Sequence, residues 1–173
     1  VIFSGHWDHF GIGEPVNGDN IYNGAQDNAS GTAGLLAMAR AAKAATPAPK
    51  RSMIFLAVTA EEQGLLGSQY YAQFPLYPLD KTLANINVDD NLSFIGRTSD
   101  TIVVGLGASD LDDYLREAAT ELGKTLKPDS EPEKGFYYRS DHFNFAKVGV
   151  PALNTGAGDE VIGKPAGYGK SKK

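Results

Sequence analysis

The sequence contains no cysteine, which excludes disulfides, thiolate–metal ligation and a cysteine nucleophile, and leaves the compartment open. It has three histidines, so any imidazole chemistry must come from His6, His9 or His142. No apolar run approaches the roughly 20 residues that a membrane-spanning helix needs. Basic residues are the minority charge, 16 against 21 acidic, for a net charge of −5, which argues against nucleic acid as the main partner. The one basic run, Lys170-Ser171-Lys172-Lys173, reads as a solvated tail. The first residue is Val1, placed directly in an apolar run, so a mature form or an excised fragment is expected.

The length of 173 residues fits one domain with a sizeable core. Val1 to Ser4 reads as a short buried strand, followed by a Gly/Asn/Asp-rich loop that runs to about Asp27. The alanine-rich stretch from Ala29 to Ala45 is expected to be a helix, stopped by Thr46-Pro47-Ala48-Pro49. Residues 52–59 are continuously apolar in their middle, as expected of a strand covered on both faces. A helix near 65–74, strands near 83–88 and 101–106, and a helix capped by Ser109-Asp110 and reaching about Leu122 follow. A short helix at 141–147 and a strand at 151–154 close the chain. Strands alternating with helices predict an α/β three-layer sandwich around a mostly parallel central sheet. Such sheets bind ligands at the C-terminal ends of their strands.

Those ends carry metal-type donors. The first strand runs into Gly5-His6-Trp7-Asp8, the loop closes on Ala25-Gln26-Asp27-Asn28, the apolar strand leads to Ala60-Glu61-Glu62, and residues 83–88 lead to Asp89-Asp90. Each has an ordinary reading: His6 as a hydrogen-bonded histidine, Asp27 and Glu61-Glu62 as acidic helix starts, Asp89-Asp90 as turn residues. Their coincidence is not explained that way. Adjacent carboxylates leaving an apolar strand repel each other unless a cation or a proton lies between them. Nitrogen and oxygen donors of this kind suit zinc.

Five stretches in order resemble the co-catalytic zinc aminopeptidases of the MH clan, a family that includes bacterial leucyl aminopeptidases and glutamate carboxypeptidase II, with glutaminyl cyclases as relatives. They are Ser4-Gly5-His6-Trp7-Asp8, Gly24-Ala25-Gln26-Asp27-Asn28-Ala29-Ser30-Gly31, Thr59-Ala60-Glu61-Glu62-Gln63-Gly64-Leu65-Leu66-Gly67-Ser68, Asn87-Val88-Asp89 and Arg139-Ser140-Asp141-His142. The resemblance implies His6 and Asp89 as ligands of one metal, Glu62 as a ligand of a second, and Asp27 as the carboxylate bridging both. It implies Asp8 as the carboxylate that orients the His6 ring and Glu61 as the general base. Tyr138 and Arg139 fall where the family contacts substrate or the developing oxyanion. His9 reads as a loop residue at the edge of the site. His142 belongs to the Ser-Asp-His motif but is not the family's terminal zinc ligand.

The family's fifth ligand is a histidine in a Tyr-His motif downstream of Ser-Asp-His, and this sequence has no such motif. A single peptidase catalytic domain, truncated at both ends, is expected. His6, Asp27 and Asp89 keep three ligands while Asp27 and Glu62 keep two, so at most one well-held zinc is expected where the intact family site has two. Asp90 departs from the apolar residue or glycine common there. The implied activity is hydrolysis of a peptide substrate at its N-terminus. Glutaminyl-cyclase-like acyl transfer and a non-catalytic peptide-binding scaffold are the alternatives. The resemblance also favours a secreted or periplasmic setting.

Overall fold

The computed structural model describes residues 1–89 and 95–172, so Asp90 lies outside the described residues. In chain order the elements are β1 (Ile2–His6), β2 (Gly11–Val16), β3 (Asp19–Tyr22), α1 (Gly31–Ala44), β4 (Ile54–Val58), α2 (Leu66–Gln73) and β5 (Asn85–Asn87). Then come β6 (Asp100–Val104), α3 (Leu111–Glu121), β7 (Thr125–Pro128), α4 (His142–Lys147) and β8 (Ala152–Ala157). A six-stranded sheet runs in the order β4-β1-β5-β8-β6-β7. Its pairings are parallel except at the β6–β8 junction, which is antiparallel.

Side chains alternate across β1, as the strand period requires. Ile2 is fully buried against Tyr71 of α2, Phe145 of α4, Val150 and Ala152, with Ile54 and Leu56 packed alongside. The other face carries Gly5, where a Cβ would stand 3.5 Å from Leu35 of α1 and 2.7 Å from the Val88 carbonyl oxygen. Helices therefore cover both faces, and the expected three-layer α/β sandwich is what forms. No helix among the described residues is long and apolar enough to cross a membrane.

The structure adds to or departs from the sequence reading at three places. The apolar run at 52–59 does form β4, but at the sheet edge, with Ile54, Phe55 and Leu56 half-buried and Ala57 exposed. β4 pairs with one strand only, β1, where Phe3 and Phe55 stack at 5.3 Å, while Ile54 and Leu56 also pack against the cluster of Ile2, Tyr71 and Phe145. An apolar run reports what a strand packs on, not how many strands flank it. Residues 11–22, read as loop, fold into the β2–β3 hairpin around Asn17 and Gly18, both at positive φ. Asn-Gly is a strong signal for such a two-residue turn, because both central residues must adopt the left-handed region. β7, unassigned in the sequence reading, pairs with β6 and extends the sheet.

The β6 end of the sheet is tied down by Asp100, whose buried carboxylate accepts the backbone N–H groups of Asp159 (3.2 Å) and Glu160 (2.9 Å) and lies 3.2 Å from Lys127 Nζ. Burial alone would raise its pKa, but the Glu160 and Asp159 N–H groups and Lys127 together hold it below the usual carboxylate value. Gly158 is required beside it, since a Cβ there would collide with the Asp100 carboxylate. Asp100→Ala leaves two backbone donors without their acceptor and should cost about 2–3 kcal/mol in denaturant unfolding at neutral pH. Because the folded-state pKa lies below the unfolded value of about 3.9, this contribution is fully present above that pH and is lost as the pH falls through the folded value. The stability gap between the two proteins should therefore narrow in acid. A constant gap from neutral to strongly acidic pH would contradict the assignment.

Candidate active site

Parallel pairing explains why distant sequence segments meet. His6 registers with Val58, and Ser4 with Asn87, so the exits of β1, β4 and β5 lie side by side at one sheet edge. From there Glu61-Glu62 and Asp89 leave their strands toward a common cleft of about 940 Å³ whose walls include Asp27, Glu61, Glu62, Asp89 and Arg139.

His6 is fully buried. Its Nδ1 is 2.9 Å from the main-chain oxygen of Asp8, which can only accept, so Nδ1 carries the proton. Nε2 then faces Asp27 Oδ1 at 2.9 Å and Asp89 Oδ1 at 3.2 Å. Burial lowers the pKa of this ring, but hydrogen bonding to Asp27 and Asp89 and the charge of Asp89 outweigh it and raise the pKa to about 11. A lone pair aimed at two carboxylates is tolerable only with a proton or a metal cation between them.

Asp8 orients the His6 ring through its main-chain carbonyl, not through its carboxylate as the resemblance implied. The carboxylate instead accepts the Ala60 N–H and the Thr59 hydroxyl, each at 2.7 Å. Burial would raise its pKa, yet these bonds bring it below the usual range. The clamp has local work to do, because Ala60 sits at φ 55° and Leu65 at φ 62°, left-handed conformations that cost a residue with a Cβ about 1–2 kcal/mol. The tight turn between them presents the Glu61-Glu62 pair. Burial first, and then the negative charge of Asp89, push the Glu61 carboxyl up to about 8. Glu62 is also raised, by burial and by Asp27.

Asp27 lies in an irregular turn, Ala25–Ser30, with non-helical backbone at Asp27 and Asn28. Asn28, almost fully buried, pins this turn to the end of β5: its Nδ2 donates to the Val88 carbonyl at 2.9 Å and its Oδ1 accepts the Gly31 N–H at 2.9 Å. A Cβ on Gly31 would stand 2.3 Å from both Asn28 Oδ1 and the Val88 oxygen, so only glycine fits there. Asp89 is held from below by a buried polar ladder. Asn85 donates to Ser4 (2.9 Å), Ser4 to Asn87 (2.9 Å), Asn87 to Ser140 (2.8 Å), and the Ser140 hydroxyl to Asp89 Oδ2 (2.6 Å).

Two groups of potential ligands result among the described residues, His6/Asp27/Asp89 and His9/Asp27/Glu62, each with donor atoms within 4.8 Å of one another. The sequence-predicted His6, Asp27, Glu62 and Asp89 are thus brought together, with Glu61 beside them on the cleft wall. Arg139 reaches the same cleft, its guanidinium 5.6 Å from the centre of the Phe136 ring. Tyr138 is 62% exposed and packs edge-on against Tyr137 and Phe143 instead of lining the cleft. His142 is buried with its ring edge-on to Tyr137 at 4.9 Å, and burial pulls its pKa down to about 4. Sequence reasoning gave no role to Asn28 or Ser140, although both lie inside the quoted stretches. It placed His9 at the edge of the site, whereas Nδ1 of His9 lies 2.6 Å from Glu62 Oε1.

This combination of mixed sheet, flanking helices and strand-end imidazole and carboxylates defines a zinc-peptidase type of scaffold. The chain belongs to Peptidase family M28, whose profile matches residues 1–171. Aminopeptidase YwaD of Bacillus subtilis is 35% identical over 140 residues, covering 79% of this chain and 29% of that protein. A probable zinc metalloprotease of Pyrenophora tritici-repentis is 37% identical over 98 residues, 57% of this chain and 19% of that protein. Among solved structures, BSAP, a zinc aminopeptidase from Bacillus subtilis, superposes with a TM-score of 0.67 at 26% identity, over 96% of this chain and 38% of that one. LapA of Legionella shares the fold with a TM-score of 0.71 at 22% identity, over 99% of this chain and 45% of that one. The chain therefore spans less than half the length of these relatives.

Removing the Ser140 hydroxyl should loosen Asp89 while leaving every atom of the two candidate donor groups in place. Ser140→Ala is expected to weaken zinc binding by about 10–100-fold, the usual effect of losing a group that orients a ligand. Competition with a chromogenic chelator would measure it, and unchanged affinity would remove Ser140 from the account.

Proposed function

We propose that the protein is a zinc-dependent exopeptidase that hydrolyses the N-terminal peptide bond of peptides. The observation that supports this reading most is the position of Asp27, shared between two donor groups, with the Glu61 carboxyl on the same cleft wall. His6, Asp27 and Asp89 are the residues to hold one zinc, a nitrogen and two oxygens with room left for a further ligand. Zinc in that place supplies Lewis acidity, lowering the pKa of water toward about 7 and polarising a carbonyl.

The protein's own groups carry the proton. Glu61 takes it from the attacking water as oxygen adds to the scissile carbonyl carbon, and returns it to the nitrogen as the C–N bond breaks. Burial and then the charge of Asp89 raise its carboxyl to about 8 while no cation neutralises the site, above the neutral range in which one group both accepts and donates a proton efficiently. Neighbouring positive charge would lower that value. Arg139, which lines the same cleft, is a cationic group available to meet the substrate. The carboxylates of the site attract a free α-ammonium group, which would restrict cleavage to chain ends.

Glu61→Gln keeps the shape of the side chain and removes its basicity. Cleavage of an aminoacyl anilide is expected to fall by about 10²–10⁴-fold, with zinc content unaltered and the Nα-acetylated substrate refused by both proteins. An unchanged rate in Glu61→Gln would eliminate the general-base role, and cleavage of the acetylated substrate would eliminate the exopeptidase reading.

A further inference from the structure

We infer that Lys170 and Lys172 on the cleft wall receive a carboxylate of the substrate, so that the favoured peptides carry an acidic group on their second or third residue. The inference deepens the proposed function and rests on its placing of the substrate's α-ammonium group among the strand-end carboxylates.

The structure corrects the expectation of a solvated tail at Lys170-Ser171-Lys172-Lys173. Lys170–Lys172 fold into a short helical turn, and both lysines line the cleft. The turn is fastened to the end of the sheet. Gly169 is buried and donates its N–H to the Asp159 carbonyl at 3.0 Å, and a Cβ there would stand 2.5 Å from the same oxygen. The Lys172 N–H reaches the Gly169 carbonyl at 3.0 Å, and the Ser171 hydroxyl the Tyr168 carbonyl at 2.8 Å. Lys172 Nζ lies 5.8 Å from the centre of the Tyr168 ring.

The cleft continues from the strand-end carboxylates across β8 to β6, because Ile102, Val104 and residues 154–157 line it as well. Strands lie about 4.8 Å apart, so β5 and β6, two places apart in the sheet, are separated by about 10 Å. An extended peptide advances about 3.3–3.6 Å per residue. With its first residue at the carboxylates, its second and third residues come to the β6 side.

The carboxylates on that side are largely engaged by the protein itself. Glu131 lies 2.8 Å from Lys134, and Asp129 accepts the Glu131 N–H at 2.9 Å. Lys170 and Lys172 make no ion pair among the described residues, although the charge of Lys170 is felt at Glu131. Asp159 is the remaining carboxylate, against two lysines. A lone surface lysine contributes little to binding, but two on a concave wall keep their charge available to a ligand and concentrate its field there.

The test compares three tripeptides that differ only in their carboxylates: Leu-Ala-Gln amide with none, Leu-Ala-Glu amide with a side-chain one, and Leu-Ala-Gln free acid with a terminal one. The readout is kcat/KM for each acidic peptide relative to the neutral amide. A preference carried by KM is expected in the unsubstituted chain, shrinking as salt is added. It should fall about tenfold in Lys170→Ala/Lys172→Ala and be retained in Lys170→Arg/Lys172→Arg. A preference confined to the Glu amide identifies an acidic side chain, one confined to the free acid identifies the C-terminus, and both uphold the inference. A preference that is absent, unmoved by the alanine pair, or lost equally in the arginine pair would overturn it. If no peptide is cleaved, calorimetry with the same three peptides separates the two readings. Carboxylate-dependent affinity that the alanine pair abolishes keeps the inference while the proposed function falls; affinity indifferent to the carboxylate ends both.

Discussion

One buried imidazole is surrounded by carboxyl groups at the end of a mostly parallel sheet, and the charge imbalance this creates governs everything around it. Asp27 and Asp89 press on Nε2 of His6, while Glu61 and Glu62 follow one another along the same wall. In water these groups would simply ionise and separate. In the partly desolvated cleft they hold a proton or a cation among them, and the raised pKa values of His6 and Glu61 express that demand. A metal ion satisfies it more fully than a proton, because one cation can accept donors from several directions.

The scaffold keeps the charges in place through polar contacts that have no catalytic function of their own. The ladder from Asn85 through Ser4, Asn87 and Ser140 fixes Asp89 from inside the sheet. Asn28 bonds the Asp27 turn to the same strand end, and Gly31 lets it approach. The Asp8 carboxylate holds the left-handed turn that presents Glu61 and Glu62. Buried polar groups of this density stabilise only when each finds a partner, which makes the support as demanding as the site itself.

Much of this was legible in the sequence, and the misses have physical reasons. The strands, the helices and the donors at strand ends follow from apolar runs interrupted by His6, Glu61-Glu62 and Asp89. The edge position of β4 does not, because its apolar composition reflects packing and not sheet order. The β2–β3 hairpin announced itself through Asn17-Gly18 but was hidden among many other Gly and Asn residues. Asp8 was read as orienting the His6 ring through its carboxylate, and only coordinates separate that group from its carbonyl. His9 was underestimated because a histidine in a polar loop has no pattern of its own. Its proximity to Glu62 arises from the tertiary approach of the hairpin and the β4 exit.

The central claim is that Asp27 sits between metal positions, and metal content tests it most directly. The chain purified without chelator, with Asp27→Ala beside it, should be compared by elemental analysis under conditions where both melt cooperatively. Stoichiometric zinc in the unsubstituted chain and its loss in Asp27→Ala are the predicted result. Zinc retained in full by a folded Asp27→Ala, or absent from both proteins even after zinc is added, would contradict the account.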